Sequence, residues 1–587
     1  MPSCARPRRA GQGRASREAG RRRAGRASPA GGACGAPERR SPAQCHPAPA
    51  DGRTPRGPGP GLAEASPTRR HVPPTRPSDP VQDSPPRRPA TSDLASRTNA
   101  PRAESRTIMT SQAPASAEAH SAHRKATALA FAAAVGGFLF GFDSSVINGA
   151  VDAIEGQFEL NSTVTGLVVA IALLGCALGA WSGGKLADRW GRTNVMVLGA
   201  VLFFVSSILS AIAWSAWDLA VWRFMAGIGI GIASVIAPAY IAEIAPAVMR
   251  GRLGSLQQLA ITVGIFTALL SDQILATAAG GAANELWLGW EAWRWMFIVA
   301  VVPAAVYGIL AARMPESPRY LVTKGQDDDA RRVLSSVLGP EEDVDERISE
   351  IHRSIEVDEK NAEQGSLKGD RLGLKPIVWV GIVMAIFQQF VGINVIFYYS
   401  TTLWQAVGFD ESQAFLVSTI TAVTNVAVTF IAIALIDKVG RRLLLLIGSA
   451  GMTVTLGLMA VAFTQATGSG EDITLGAPWD IVALVSANGF VVFFGATWGP
   501  LMWVLLGEMF PNRIRAAALG VGAAANWIAN FTITLTFPPM LDTFGPTVPY
   551  LMYAIFAALS FFFVLGKIPE TKGIELEDMS GDAYHRG

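Results

Sequence analysis

The chain has 587 residues, half of them hydrophobic and only 16% charged, against about 25% charged in an ordinary soluble domain. Its net charge of +2 conceals two unlike pieces. Residues 1–107 hold 21 Arg, no Lys, 8 acidic residues and 19 Pro, a net of +13 without one Phe, Trp, Tyr or Ile, while the remainder carries a net of −11 and every aromatic residue. A single soluble core is excluded, and core-forming capacity lies after residue 107.

In chain order, residues 1–125 read as a disordered Arg/Pro/Ala-rich extension, because too little apolar surface is present to offset the entropy of ordering the backbone. The apolar stretch of a secretory signal is missing near the N-terminus. The segment is a solvated tail, the product of a start placed upstream of a true beginning at Met109, or an arginine-rich arm for anionic partners. With no aromatic residue interleaved among the arginines, no nucleic-acid partner is expected. Of the four cysteines three lie in this segment, and Cys176 falls in an apolar run as a small packing residue. No metal spacing, disulfide framework or phosphate-binding loop is present, so neither a metal, a cofactor nor an enzymatic or ATP-driven activity is expected.

From Thr127 the chain repeats apolar runs long enough to cross a bilayer of about 30 Å as helices. Twelve are predicted: 127–150, 162–182, 194–214, 217–237, 254–276, 293–312, 376–400, 412–435, 443–464, 480–506, 516–537 and 547–566. Of 28 basic residues after the tail, Arg223 and Arg294 fall inside spans; the other 26 precede span one, follow span twelve or follow even-numbered spans. The opposite loops carry acids and no Lys or Arg. By the positive-inside rule both termini are cytoplasmic, and the chain is a multi-pass protein of the cell membrane embedded in lipid. The expected domains are the six-span half 126–314, a hydrophilic cytoplasmic linker 315–375 with short amphipathic helices, the six-span half 376–567, and a tail 568–587.

The halves repeat. Asp188–Arg192 recurs as Asp437–Arg441, Glu243 and Arg250 recur as Glu508 and Arg515, and Pro315-Glu316-Ser317 recurs as Pro569-Glu570-Thr571. Carboxylates and arginines at helix ends on one face can pair when that face closes and part when it opens, so each pair biases a two-state equilibrium. The expected clusters are Glu243 with Arg189 and Arg192, and Glu508 with Arg441 and Arg515, with Arg250 in the same basic group; static pinning of helix ends is the alternative. Inside the spans, Asp143 and Arg223 are costly charges that call for interior partners. A buried pair can be structural only, or can carry a proton as the distance between its members changes.

The stretch 127–575 resembles the sugar porter family of the major facilitator superfamily. The resemblance rests on GGFLFGFD (136–143), DRWGR (188–192), RFMAGIGIG (223–231), YIAEIAPAVMRG (240–251), PESPRYL (315–321), QQFVGINVIFYY (388–399), DKVGRR (437–442), GEMFPNRIR (507–515) and PETKG (569–573). It implies an all-α membrane fold of twelve transmembrane helices in two halves that alternate access to a central site, and monomeric, proton-coupled import of a hexose or pentose. It makes Asp143 the coupling aspartate with Arg223 as partner, and the helix-end charges a cytoplasmic latch. Gln258, Gln388, Gln389, Asn394, Asn425, Trp503 and Asn526 are implied to line the sugar site, with Phe140, Tyr398 and Trp527 nearby; amides and aromatic faces suit sugar hydroxyls and C–H surfaces. Facilitative uniport and transport of a polyol such as inositol remain alternatives, and interhelical amide bonds are the structural alternative for the polar residues. Ile265 replaces a second glutamine found in some pentose porters, which leaves the sugar open. Gly495, Gly499 and Pro500 suit a broken span ten, with Trp498 either packing or gating.

Overall fold

A computed structural model describes residues 113–570, apart from 247–248, 339–342, 365–366, 370–372, 468–473 and 512–513. Residues 1–112 and 571–587, which include Met109 and Thr571, lie outside the described residues, but the end of the segment expected to be disordered, 113–125, is instead the first part of the helix Ala113–Val146, continuous with span one. The described chain is helical except for one short antiparallel pair, β1 (Glu285–Trp287) and β2 (Trp290–Glu291).

Among the described residues twelve helical segments are long and apolar enough to cross a membrane, the number expected, and the protein is a multi-pass membrane protein. In the first half these are α1 (Ala113–Val146), α3 (Ser162–Trp190), α4 (Arg192–Ala211), α5 (Ala216–Ile244), α6 (Arg250–Ala279) and the pair α7 (Ala292–Val299) and α8 (Val301–Arg313), with a short α2 (Val151–Gln157) after α1. The second half has α12 (Pro376–Phe390) continued by α13 (Ile393–Tyr398) and α14 (Ser400–Gln405), then α15 (Glu411–Val439), α16 (Arg441–Phe463), α17 (Trp479–Ala496) with α18 (Trp498–Met509), α19 (Arg515–Phe544) and α20 (Thr547–Lys567). Between them lie α9 (Pro318–Thr323), α10 (Asp327–Val337) and α11 (Val344–Gln364). Their apolar faces build a separate small core from Leu321, Val322, Leu334, Val337 and Ile351, against Ala126 and Leu129 of α1.

The starts follow capping chemistry. Asn161, Ser215 and Asp410 each accept a backbone N–H three residues on, at 3.0, 3.2 and 3.0 Å, opening α3, α5 and α15. Breaks inside spans are less legible. Span one ends at Val146, earlier than expected, where the chain turns through Asn148 and Gly149. Span six breaks at Ala300, three residues before Pro303, whose missing N–H leaves the Val299 carbonyl without its helical donor. Span seven, expected as one run, breaks at Gly392, where φ is 83°. Span ten breaks at Thr497.

Within the first half the helices meet backbone to backbone. A Cβ at Gly175 or Gly179 of α3 would lie 2.1 or 2.2 Å from the Phe224 or Ile228 carbonyl oxygen, and one at Gly227 or Gly231 of α5 would lie 2.0 or 2.2 Å from that of Ala172 or Cys176. Small residues four apart permit this approach. Cys176 is buried in this seam. The halves meet where α3 packs on α19 and α6 on α15. Hydrogen bonds also join them at the acidic face: Thr401 Oγ1 donates to the Asn148 carbonyl at 2.7 Å, Thr402 Oγ1 and Gln405 Nε2 donate to Asp152 at 2.7 and 2.8 Å, the Ala282 N–H donates to Glu411 at 2.8 Å, and Thr419 Oγ1 donates to Gln273 Oε1 at 2.8 Å.

Candidate functional site

Close packing of α1 on α6, where a Cβ at Gly141 would meet the Ile261 carbonyl oxygen at 1.9 Å, fixes the face of α1 that carries Asp143. Arg223 of α5 reaches it: Nη1 stands 2.6 Å from Oδ1, and the two residues are 2% and 5% exposed. The guanidinium lies 5.8 Å from the Phe297 ring, and Nε has no hydrogen-bond partner. A narrow cavity beside the pair is lined by Phe140, Ser144, Ile147 and Tyr398. Such a pair holds two charges in a low-dielectric interior, and removing one member leaves the other uncompensated.

A second cluster is built of amides around the break in span seven. Gln388 Nε2 donates to the Trp498 and Gly499 carbonyls, both at 3.2 Å, and Oε1 accepts from Asn526 Nδ2 at 2.7 Å. Gln389 Nε2 donates to Asn526 Oδ1 at 3.1 Å, while its Oε1 accepts from Asn394 Nδ2 at 2.6 Å. Gly392 permits the sharp break between the two glutamines and Asn394; a Cβ there would lie 2.4 Å from the Tyr553 ring. Phe140 and Trp527 touch edge to face with centroids 5.6 Å apart. Because Phe140 precedes Asp143 by three residues and Trp527 follows Asn526 directly, this contact links the two clusters across the halves.

The remaining expected residues are placed more loosely. Gln258 is half-buried and makes no hydrogen bond through its side chain among the described contacts. Asn425 is buried, with Gly495 beside its Oδ1. Trp503 is 43% exposed. Tyr398 is buried against the Asp143 cavity and not within the amide cluster. Trp498 is fully buried, its Nε1 donating to the Leu445 carbonyl at 3.2 Å and Ser449 Oγ at 3.0 Å, which is the packing arrangement.

At the basic face, Arg192 clasps Glu243 through Nε and Nη2, both at 3.2 Å, and Arg441 Nη2 meets Glu508 at 3.1 Å. Two expected pairings are corrected. Arg189 is exposed and makes no ion pair with Glu243 among the described residues, where Arg192 takes that carboxylate. Arg515 does not reach Glu508; its Nε is engaged by the Phe510 carbonyl at 3.1 Å. The side chain of Arg250 lies outside the described residues.

Two residues given no role by the sequence reading organise this face. Glu316 accepts the N–H groups of Arg192 and Thr193 at 2.8 and 3.2 Å, capping α4, and Glu570 accepts those of Arg441 and Arg442 at 2.8 and 3.1 Å, capping α16. Carboxylates at helix N-termini satisfy orphan donors and the helix dipole. Gly191 and Gly440, at φ 94° and 102°, make room for them. Ser317 beside Glu316 donates to Glu243, tying cap to pair. The repeat of Pro-Glu-Ser as Pro-Glu-Thr was the available signal.

A family model described as "Sugar (and other) transporter" matches residues 129–583. The chain belongs to this sugar transporter family. It is 54% identical over 448 residues, 76% of this chain and 95% of the relative, to the glucose transport protein of Synechocystis sp.. It is 35% identical over 483 residues, 76% of this chain and 93% of the relative, to the D-xylose-proton symporter of Escherichia coli. The fold is similar to the partially occluded inward-open conformation of the xylose transporter XylE from E. coli, with a TM-score of 0.66, 32% identity and coverage of 77% of this chain and 99% of that one. This sugar transporter therefore has the major facilitator fold and is no enzyme. Its two buried clusters, one charged and one neutral, are the candidate functional site.

Proposed function

We propose that this transporter imports a monosaccharide together with a proton by alternating access, with its basic face toward the cytoplasm. The observation that carries the reading is the isolated, buried Asp143–Arg223 pair at 2.6 Å, joined to the amide cluster through Phe140 and Trp527. With Arg223 in contact, Asp143 stays ionised. If rocking draws the guanidinium away while water remains excluded, the lone buried carboxylate must take a proton. Sugar held by the amides fixes the position of Trp527 against Phe140, one helical turn from Asp143, and so couples loading of the two.

In the sugar site, Gln388, Gln389 and Asn526 hold each other, whereas Asn394 Oδ1 and the Gln258 amide have no described partner and face no competition for sugar hydroxyls. Asn425 and Trp503 are assigned to the same lining, and Tyr398 to the Asp143 cavity beside it. The Arg192–Glu243 and Arg441–Glu508 pairs act as the cytoplasmic latch, and the protein works as a monomer in the cell membrane. Glucose is the first sugar to test, because the relative 54% identical is named for it; xylose, named for the symporter, is the second.

In proteoliposomes with an inward proton gradient, the wild type is expected to concentrate the sugar. Asp143→Asn should lose concentrative uptake and retain sugar exchange at equal concentrations. Undiminished accumulation by the variant overturns proton coupling at Asp143.

A further inference from the structure

A second carboxylate lies buried in the first half, apart from the pair just described. Asp272 of α6 is 0% exposed, and no side chain donates to either of its oxygens among the described residues; the one donor close to it is the Gly149 backbone N–H. Its side chain presses on the turn after α1: a Cβ at Gly149 would lie 2.8 Å from Asp272 Cβ and 2.9 Å from Oδ2. Ser145 Oγ and Asn148 Nδ2, in the same turn, are also buried without partners. Three polar side chains so poorly satisfied at one place are unusual in a folded protein.

Charge does not compensate it. Of the charged groups on the elements packed against α6, His123, Arg124, Lys125, Glu243 and Lys438 stand at the opposite, basic-face ends of their helices, Asp143 and Arg223 are engaged with each other, Arg294 is engaged by Glu291, and Asp218, Glu285 and Glu411 carry the same sign as Asp272. A carboxylate taken from water with no counter-ion, and with at most one backbone N–H beside it, is costly to hold ionised, so closing the acidic face over it favours the acid form.

The position matters as much as the burial. Gln273, the next residue, bonds Thr419 of the other half, and Asn148, beside Gly149, bonds Thr401. Asp272 is thus roofed by the contacts that close the acidic face. When that face opens, water reaches the carboxyl and it ionises; when it closes, a proton must first be taken up.

We infer that Asp272 is a second proton-binding site, one that locks the acidic-face gate shut when protonated and is independent of the coupling assigned to Asp143. The proton enters and leaves from the acidic side, so it sets the balance between closed and open gate and is not carried across. The sugar site keeps its own chemistry, and acidification shifts the population toward the closed gate.

The neighbouring Asp152 titrates as well and must be held constant. At the rim of the gate its carboxyl is pushed up to about 6, chiefly by the surrounding chain displacing water, with Glu155 and Glu411 adding and the bonds from Thr402 and Gln405 opposing.

The test uses full-length protein in detergent, with the native cysteines replaced by serine and a reporter Ser400→Cys, buried beside Thr401 when the gate is shut. Thiol labelling is followed from pH 5 to 9 in Asp143→Asn, and in the same chain with Asp272→Asn added. The labelling ratio of the two isolates Asp272, since Asp152 and the thiol chemistry are common to both. Gate opening in Asp143→Asn is expected to rise with pH, approaching tenfold per unit where Asp272 titrates, the limit for one proton. Adding Asp272→Asn should remove that rise and leave the gate closed, and Asp272→Glu should restore it. A pH-independent ratio, or a slope unchanged by Asp272→Asn, overturns the assignment. Failure at Asp143 in the uptake assay would leave this result untouched.

Discussion

The membrane core of the first half holds a full ion pair, Asp143 with Arg223, whereas that of the second half holds four uncharged amides, Gln388, Gln389, Asn394 and Asn526. The two halves descend from one repeated pattern at the basic face, where each has a glycine, a capping glutamate and an arginine–glutamate pair. Their interiors have diverged. Charge is kept where it can be neutralised by a single partner, and hydroxyl-matching groups are kept where the helix is broken and backbone carbonyls are within reach. On the proposed function, the buried charge serves as a switch because its environment changes its protonation, and the buried amides serve as a selector because their hydrogen bonds are directional and unaffected by pH.

This division can be broken most severely at Arg223. Arg223→Met leaves Asp143 buried without its partner, and losing one member of a buried pair costs about 3–5 kcal/mol. Concentrative uptake is expected to vanish and thermal stability in detergent to fall; Asp143→Asn combined with Arg223→Met should recover much of the stability and none of the accumulation. A single variant as stable as the wild type would show the pair to be expendable.

On the neutral side, Gln389→Ala removes the donor to Asn526 and the acceptor for Asn394. Losing buried amide contacts costs on the order of 1–3 kcal/mol, so sugar affinity, read by equilibrium binding, should weaken roughly tenfold to a hundredfold. The variant should keep the pH dependence of the wild type. A changed pH profile with unchanged affinity would reverse the roles of the two halves.

The smallest effect tests what the halves still share. Gly191→Ala places a Cβ 2.2 Å from Glu316 Oε2, while Gly440→Ala places one 2.8 Å from Glu570 Oε2. Both also force alanine to a positive φ, a strain of about 1–3 kcal/mol. Gly191→Ala should lower the melting temperature more than Gly440→Ala, and equal shifts would mean that the two caps are equally tight.

Much of this architecture was legible from residue order. Apolar runs and the sorting of basic residues give twelve spans, since a helix must satisfy its own backbone in lipid. Asp143 and Arg223 stood out because charges within such runs are rare. The amide cluster was named residue by residue through the family resemblance, but not its internal bonding, which depends on the break at Gly392 that hydropathy does not register. The pairings of Arg189 and Arg515 failed for a related reason. Sequence places several arginines at one face, and only the rotation of each helix decides which turns toward a glutamate. Asp272 passed unnoticed within an apolar run, and its lack of a counter-ion or side-chain donor exists only in three dimensions.

The glycine seam between α3 and α5 has a mechanical consequence. Where carbonyl oxygens meet Cα atoms with no side chains between them, there is no compliant layer to absorb displacement. The first half is therefore stiff along the axis from its acidic to its basic face and works as a lever rather than a spring. On the proposed alternating-access reading, such a lever would carry a tilt at the acidic end of α3 and α5 to Arg192 and Glu243 at the basic end.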